Sequence, residues 1–177
     1  MQKKIVAILG GPATGKSTLI DELKNRGFCC YPEISRQVTI DAQKNGIDQL
    51  FLTEPLLFSK LLIEGRIKQF DDALNEPHKI VFLDRGIPDV LAYMDFIGND
   101  YPTGFIQFCE NKKYTKAFIL PLWKEIYVSD NERYESFEEA IAIQKHLIST
   151  YKKFGYELIE VPKDTVKNRA DFVLKHL

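Results

Sequence analysis

The chain has 177 residues, which suits one domain spanning residues 1–177 and burying roughly 70% of its unfolded surface around a single core. A formal net charge of −1, with 45% hydrophobic and 28% charged residues, excludes a field that would draw nucleic acid or an anionic membrane, so any anion must be bound locally. No apolar run approaches the ~20 residues of a membrane span, and the short apolar run near the N-terminus leads straight into a glycine-rich loop rather than a signal-peptide cleavage site.

Lys4–Leu9 is continuously apolar and ends in Gly10-Gly11, the pattern of a buried parallel strand. Lys16–Arg26 follows as a helix with Leu19, Ile20 and Leu23 on one face and Gly27 as its stop. A short strand over Phe28–Tyr31 precedes a helix over Glu33–Asn45 that Gly46 ends. Thr53 is expected to cap a long helix with Pro55 in its first turn, reaching about Leu74. Lys79–Leu83 is a third buried strand. Helices over Pro88–Ile97 and Gly104–Asn111 lead to a fourth strand, Ala117–Leu120. Ser136 and Glu139 form a capping box that opens a helix closed by Gly155. Glu157–Val161 is the fifth strand, and Asp164–Leu177 the last helix. Strands alternating with helices imply an α/β fold with a mainly parallel sheet, whose ligands sit beyond the carboxyl ends of the strands.

The cysteines, Cys29, Cys30 and Cys109, are odd in number, lack C-x-x-C spacing and have no companion histidines in sequence. This fits a reducing cytoplasmic location and argues against a disulfide framework or structural zinc. His78, His146 and His176 are scattered and read as surface residues.

The segments just after the strands carry the chemistry. Gly10-Gly11-Pro12-Ala13-Thr14-Gly15-Lys16-Ser17, followed by Thr18, is a complete G-x-x-x-x-G-K-S phosphate loop between a strand and a helix. The glycines let backbone N–H groups curl around phosphate, Lys16 reaches the β- and γ-phosphates, and the Ser17 hydroxyl ligates Mg²⁺. The helix dipole adds positive potential at the same point. Asp84, at the end of the third strand, is the best-placed acid to complete the Mg²⁺ site. Arg85 beside it suits a transferring phosphate, because a guanidinium binds phosphate oxygens in a fork.

Glu33 follows the second strand, where it would orient, or take a proton from, an acceptor hydroxyl opposite the γ-phosphate. The bland alternative is a Glu stabilised by a helix N-terminus alone. Arg36, one turn on, would hold an anionic group. Ser129–Tyr134 is a polar loop that would close over the triphosphate and bring Arg133 to the transition state, or else lie exposed with Glu132 neutralising Arg133. Val161–Asp164 is either a contact to the base or a plain strand-to-helix turn.

In order along the chain stand the P-loop, Tyr31–Arg36, Phe82–Tyr93 (F-x-D-R-G-x-x-D-x-x-A-Y), Arg133–Ala140 with Glu135, Glu138 and Glu139, and Tyr151–Pro162. This series resembles the AAA-type ATPase/kinase family that includes the ribosylnicotinamide kinase portion of bacterial NAD-metabolism regulators. The resemblance implies a three-layer P-loop NTPase of nucleoside/nucleotide-kinase type with a five-stranded parallel sheet in the order 2-3-1-4-5, using ATP and Mg²⁺. It implies the roles just argued for Lys16, Ser17, Glu33, Arg36, Asp84, Arg85 and Arg133. The regulators also carry an adenylyltransferase domain and often a DNA-binding segment, for which this sequence offers no counterpart.

Two function classes follow. One is a kinase that passes the γ-phosphate of ATP to a small hydroxyl-bearing molecule such as a nucleoside, with Glu64 and Arg66 of the long helix walling the acceptor. The other is an ATPase or nucleotide-state switch acting on a protein partner. A guanine-specific switch is excluded, because Asn111-Lys112-Lys113-Tyr114 lacks the Asp of N-K-x-D. Phe105, Phe108 and Trp123 are candidates for an exposed apolar patch.

Overall fold

In the computed structural model, which describes residues 2–11, 14–126 and 136–177, side chains along Lys4–Leu9 (β1) enter two different cores. Ile5, Ala7 and Leu9 join one buried cluster, and Val6 and Ile8 join another. Successive strand residues point to opposite faces, so an unbroken apolar run means that both faces of the sheet are covered. β1 pairs in parallel with Ile80–Asp84 (β3) on one side and Lys116–Ile119 (β4) on the other. Cys29–Tyr31 (β2) lies outside β3, and Leu158–Glu160 (β5) outside β4. The sheet is wholly parallel in the order β2-β3-β1-β4-β5, as the sequence led us to expect.

Lys16–Asn25 (α1) and Val166–Lys175 (α8) cover the Val6/Ile8 face through Leu19, Ile20, Leu23, Ala170 and Val173. Pro55–Asn75 (α4), Pro88–Ile97 (α5) and Phe137–Lys153 (α7) cover the other face through Phe70, Ala73, Ala92, Leu147 and Tyr151. A third core joins α4 and α5 to Ser35–Lys44 (α2), Leu50–Thr53 (α3) and Thr103–Asn111 (α6). No helix among the described residues is long and apolar enough to cross a membrane.

Several local expectations change. Thr53 does not cap the long helix. It ends α3, its hydroxyl bonding back to the Gln49 carbonyl at 3.1 Å, and α4 begins after Glu54. A hydroxyl that satisfies the carbonyl one turn behind is not available to cap the turn ahead. The helix expected from Glu33 starts at Ser35. The capping box at Ser136 forms as expected, with Glu139 N–H donating to Ser136 Oγ at 3.2 Å and Ser136 N–H to the Glu139 carboxylate at 2.7 Å. The proposed apolar patch does not exist as a unit. Phe105 is buried, stacked on Tyr101 at 6.4 Å between ring centroids, while Trp123 lies beneath the Arg169 guanidinium at 5.7 Å.

Candidate functional site

The glycine-rich loop leaves β1 at Leu9, and Gly15 turns it into α1 with φ +77°. In that left-handed region a side chain would be strained, and a Cβ here would also meet Arg169 Nη1 at 2.8 Å. Gly10 has a different reason: a Cβ would lie 2.6 Å from Thr14 Oγ1, which itself donates to the Gly11 carbonyl at 3.1 Å. The loop is braced from outside the motif. Gly11 N–H donates to Gln144 Oε1 at 3.1 Å, and Gln144 Nε2 donates to the Leu120 carbonyl at 3.0 Å. Arg169 Nη1 donates to the Thr14 carbonyl at 3.0 Å. Ser17 and Thr18 are exposed on the first turn of α1, and Thr18 Oγ1 donates to the Gly15 carbonyl at 2.8 Å. Pro12 and Ala13 lie outside the described residues, as does Arg133 with its loop.

At the carboxyl ends of β2 and β3 the structure gathers a cluster of charges. Lys16 Nζ forms an ion pair with Asp84 and stands 4.0 Å from Glu33 Oε2. Arg85 Nε pairs with the same Glu33 oxygen, and Arg85 Nη1 lies 3.4 Å from Asp89 Oδ1. Arg66, buried on α4, reaches Glu33 Oε1 at 3.2 Å and donates to the Gly86 carbonyl at 2.7 Å. Thus Lys16, Arg66 and Arg85 face Glu33, Asp84 and Asp89, and the cluster is neutral. Removing charges from water is costly unless they are paired, and here each has a partner of opposite sign. Arg36 is exposed on the first turn of α2, and Glu64 is exposed on α4.

Glu33 has the helix-start contacts of the bland reading and also lies beside the P-loop lysine. Its Oε1 accepts from Ile34 N–H at 3.1 Å and Ser35 N–H at 3.2 Å, as a carboxylate at a helix start should. The same carboxylate also faces the P-loop lysine. Burial alone would raise its pKa, but Arg85, Arg66 and Lys16, with the Ser35 N–H, outweigh burial and hold it down at about 2. Lys16 moves down from the usual lysine value, chiefly through burial and secondly through Arg85, against the opposing pull of Asp84 and Glu33.

A depressed carboxylate pKa has a thermodynamic consequence. Because Glu33 titrates lower when folded than when unfolded, its stabilisation is complete above the unfolded value near 4.5 and is lost as pH falls toward about 2. The linked free energy is on the order of 3 kcal/mol. Urea unfolding at stepped pH is expected to show wild-type stability falling through that window more steeply than that of Glu33→Gln. Parallel curves for the two proteins would show that Glu33 is not so held.

Sequence reasoning gave no role to two members of this network, and placed a third at the acceptor without its contact to Glu33. Asp89 stood inside the D-R-G-x-x-D string without a role. It accepts from Gly86 N–H at 2.9 Å and from the Tyr151 hydroxyl at 2.6 Å, which ties the turn after β3 to α7. Tyr151 is fully buried, and burial followed by the Asp89 charge pushes its phenol well above the ordinary value. The third is Arg66. Its signal was a charge set within an apolar helical stripe, since Leu62, Ile63, Arg66 and Phe70 are all buried on α4.

The turn itself is tight. Arg85 is the one non-glycine residue with positive φ, +72°, among those described, and its N–H donates to the Ile8 carbonyl at 3.0 Å. Such backbone costs of order 1–3 kcal/mol and clusters at functional sites. Gly86 has no room for a side chain: a Cβ would collide with the Tyr151 hydroxyl and lie 2.8 Å from Tyr114 Cε2. Both rings are buried, so neither can swing away. Gly86→Ala is therefore expected to destabilise the fold by about 1–3 kcal/mol, read as a lower urea midpoint at unchanged slope. An unchanged midpoint would mean that the turn yields freely.

Comparison with known proteins bears on this geometry. Residues 5–169 match the family described as AAA domain, and the chain belongs to that family. No curated protein is similar enough in sequence to count as a match. Among solved structures, a deoxyadenosine kinase from M. mycoides with dCMP and dCDP bound superposes with a TM-score of 0.71 at 17% identity, covering 97% of each chain. A NadR protein in complex with NR gives 0.73 at 20% identity over 98% of this chain, which spans only 50% of that protein. Thymidylate kinase from Candida albicans gives 0.72 at 15% identity, covering 99% of this chain and 91% of the other. At such identities the likeness establishes the fold, a three-layer nucleoside-kinase-like P-loop architecture.

Proposed function

We propose that the protein is an ATP- and Mg²⁺-dependent phosphotransferase that passes the γ-phosphate to a hydroxyl of a small molecule, of nucleoside type. The observation that carries this reading is Glu33. A carboxylate held by two arginines, 4.0 Å from the P-loop lysine and just after the second strand, is placed to orient the hydroxyl of a bound acceptor. The kinase folds of the structural relatives support it.

Residues 10–18 would cradle the triphosphate, with Lys16 leaving Asp84 for the β- and γ-phosphate oxygens. Ser17 and Asp84 would hold the metal: a hydroxyl and a carboxylate are hard oxygen donors, and Mg²⁺ fills its remaining positions with water and phosphate. When bound, the ion neutralises phosphate charge. Asp84 suits the task because its present partner is a cation that the incoming phosphates would draw away.

In the transfer, the acceptor oxygen bonds to the γ-phosphorus while the bond from that phosphorus to the β–γ bridging oxygen breaks, and ADP departs. A carboxylate with a pKa of about 2 does not retain a proton near neutrality. Glu33 therefore orients the hydroxyl by accepting its hydrogen bond, and the proton leaves with the phosphorylated product or passes to solvent. Little proton transfer is needed early in a loose phosphoryl-transfer transition state, where positioning and charge stabilisation dominate. Arg85 is placed to hold the equatorial oxygens, with Arg133 and Arg36 as further candidate cations.

The test is ADP release from ATP·Mg²⁺ with a panel of nucleosides, ribosylnicotinamide among them. Stimulation by one acceptor, with a phosphorylated product, supports the kinase. Slow hydrolysis indifferent to every acceptor would overturn it in favour of an ATPase acting on a protein.

A further inference from the structure

The two ends of the sheet are chemically distinct. At the amino-terminal end, away from the P-loop, the first residue of β2, the residue after α4 and the residue two before β3 come together. These are Cys29, Glu76 and His78. One ligating atom from each, a thiol sulfur, a carboxylate oxygen and an imidazole nitrogen, lies within 4.8 Å of the other two. Their separation in sequence hides the cluster. The parallel pairing of β2 with β3 creates it, by setting Cys29 opposite Val81, three residues past His78. The expectation that the cysteines lack companion histidines therefore holds in sequence and fails in space.

The cluster is also oriented. Glu76 Oε1 accepts from the Tyr31 hydroxyl at 3.1 Å, which leaves Oε2 turned toward His78 Nδ1 at 3.3 Å. The Lys3 ammonium bonds the Glu76 backbone carbonyl and fixes the chain that carries the carboxylate. Outer partners that aim a ligand in this way are a regular part of metal sites. Cys29 and Glu76 are half-buried and His78 is exposed, so an ion can enter from solvent.

We propose that Cys29, Glu76 and His78 form a site for a borderline-soft divalent cation, Zn²⁺ in the first instance, separate from the Mg²⁺ site at Asp84 and Ser17. The donor set decides the class. Thiolate and imidazole select Zn²⁺ over Mg²⁺ or Ca²⁺, which prefer oxygen. Three protein ligands and one water complete a tetrahedron. The ligand atoms must close up by less than 1.5 Å or so to meet zinc distances, a movement open to side chains at a strand end and in a short connection. The thiol gives up its proton to solvent on ligation, with no redox change. Bound metal ties β2, β3 and the end of α4 together, so its effect falls on stability and not on phosphoryl transfer.

The experiment is a Co²⁺ titration of the chelator-treated full chain, read by the thiolate-to-cobalt charge-transfer band and the tetrahedral ligand-field bands. One equivalent is expected to bind, Zn²⁺ to displace it, and Zn²⁺ to raise the thermal midpoint by a few degrees. Cys29→Ser abolishes the charge-transfer band and Cys30→Ser retains it. His78→Ala, an exposed change that leaves the fold intact, weakens binding at least ~10-fold, and Tyr31→Phe does so by about 10-fold. Absence of the band, or its survival in Cys29→Ser with loss in Cys30→Ser, overturns the proposal, as does unchanged affinity in His78→Ala.

Discussion

Lys16→Ala is expected to lower acceptor-dependent turnover by about 10³-fold or more, the scale on which removing one preorganised charge from a transition state is felt. Lys16 is nine-tenths buried, unusual for a lysine, and its ammonium sits between Asp84 and Glu33. Burial and the neighbouring Arg85 work against its charge, so the site holds a cation in a place that lowers its pKa. A triphosphate entering that place supplies the negative charge that makes the lysine favourable. The variant also leaves the buried Asp84 and Glu33 carboxylates short of one cation, which costs stability. Rates must therefore be compared at a temperature where circular dichroism shows both proteins folded. Turnover within 10-fold of wild type in a folded variant would remove Lys16 from the transfer.

The neutrality of the charge cluster bears on how nucleotide binds. With Lys16 paired to Asp84, both the phosphate-binding cation and the candidate metal-binding anion are occupied by each other. On the proposed function, nucleotide and metal would enter as a neutralising pair, because either alone would leave one partner buried with an unmatched charge. Glu33 differs from Asp84 in this respect. Its partners Arg66 and Arg85 are themselves tied to the protein, through the Gly86 carbonyl and Asp89.

The strands, the P-loop and the positions of Glu33, Asp84 and Arg85 were legible because they rest on local signals, whereas the sheet order followed only from the family resemblance. Apolar runs of strand length, a glycine pattern with a physical role at each position, and polar residues just after strands all lie within a few residues of one another. Asp89 and Tyr151 were not legible as site residues, nor was the contact of Arg66 with Glu33, because packing joins Asp89 to Tyr151 across 62 residues and Arg66 to Glu33 and Gly86 across 33 and 20. Arg66 was expected only to wall the acceptor from the long helix, and Tyr151 looked like one more apolar side chain on α7. Cys29 and His78 were missed for the same reason, since the pairing of β2 with β3 is a property of the sheet and not of either segment. The Thr53 boundary failed differently: two short helices meet there, and a hydroxyl can bond backward or forward with similar ease.

Glu33→Gln separates orientation from charge. The amide keeps the size of the side chain and one oxygen for hydrogen bonding, so the start of α2 and the fold should survive. It loses the negative charge that meets Arg85 and Arg66. Those guanidiniums then lack their anion and are drawn toward phosphate or acceptor, and the acceptor hydroxyl faces a weaker and ambiguous partner. Nucleotide affinity should hold or rise, because a negative charge near the γ-phosphate has gone. Acceptor-dependent kcat should fall ~100-fold, the scale on which losing the group that positions a nucleophile is felt. A base that kept the proton would give a rate rising with pH through its own titration. With Glu33 held at about 2, the wild-type kcat profile should instead show no Glu33 limb between pH 5 and 8. Unchanged turnover in the variant would remove Glu33 from the mechanism. A fall in nucleotide affinity matching the fall in rate would assign it to the ATP site, and the carboxylate between the two arginines would then be a structural pair.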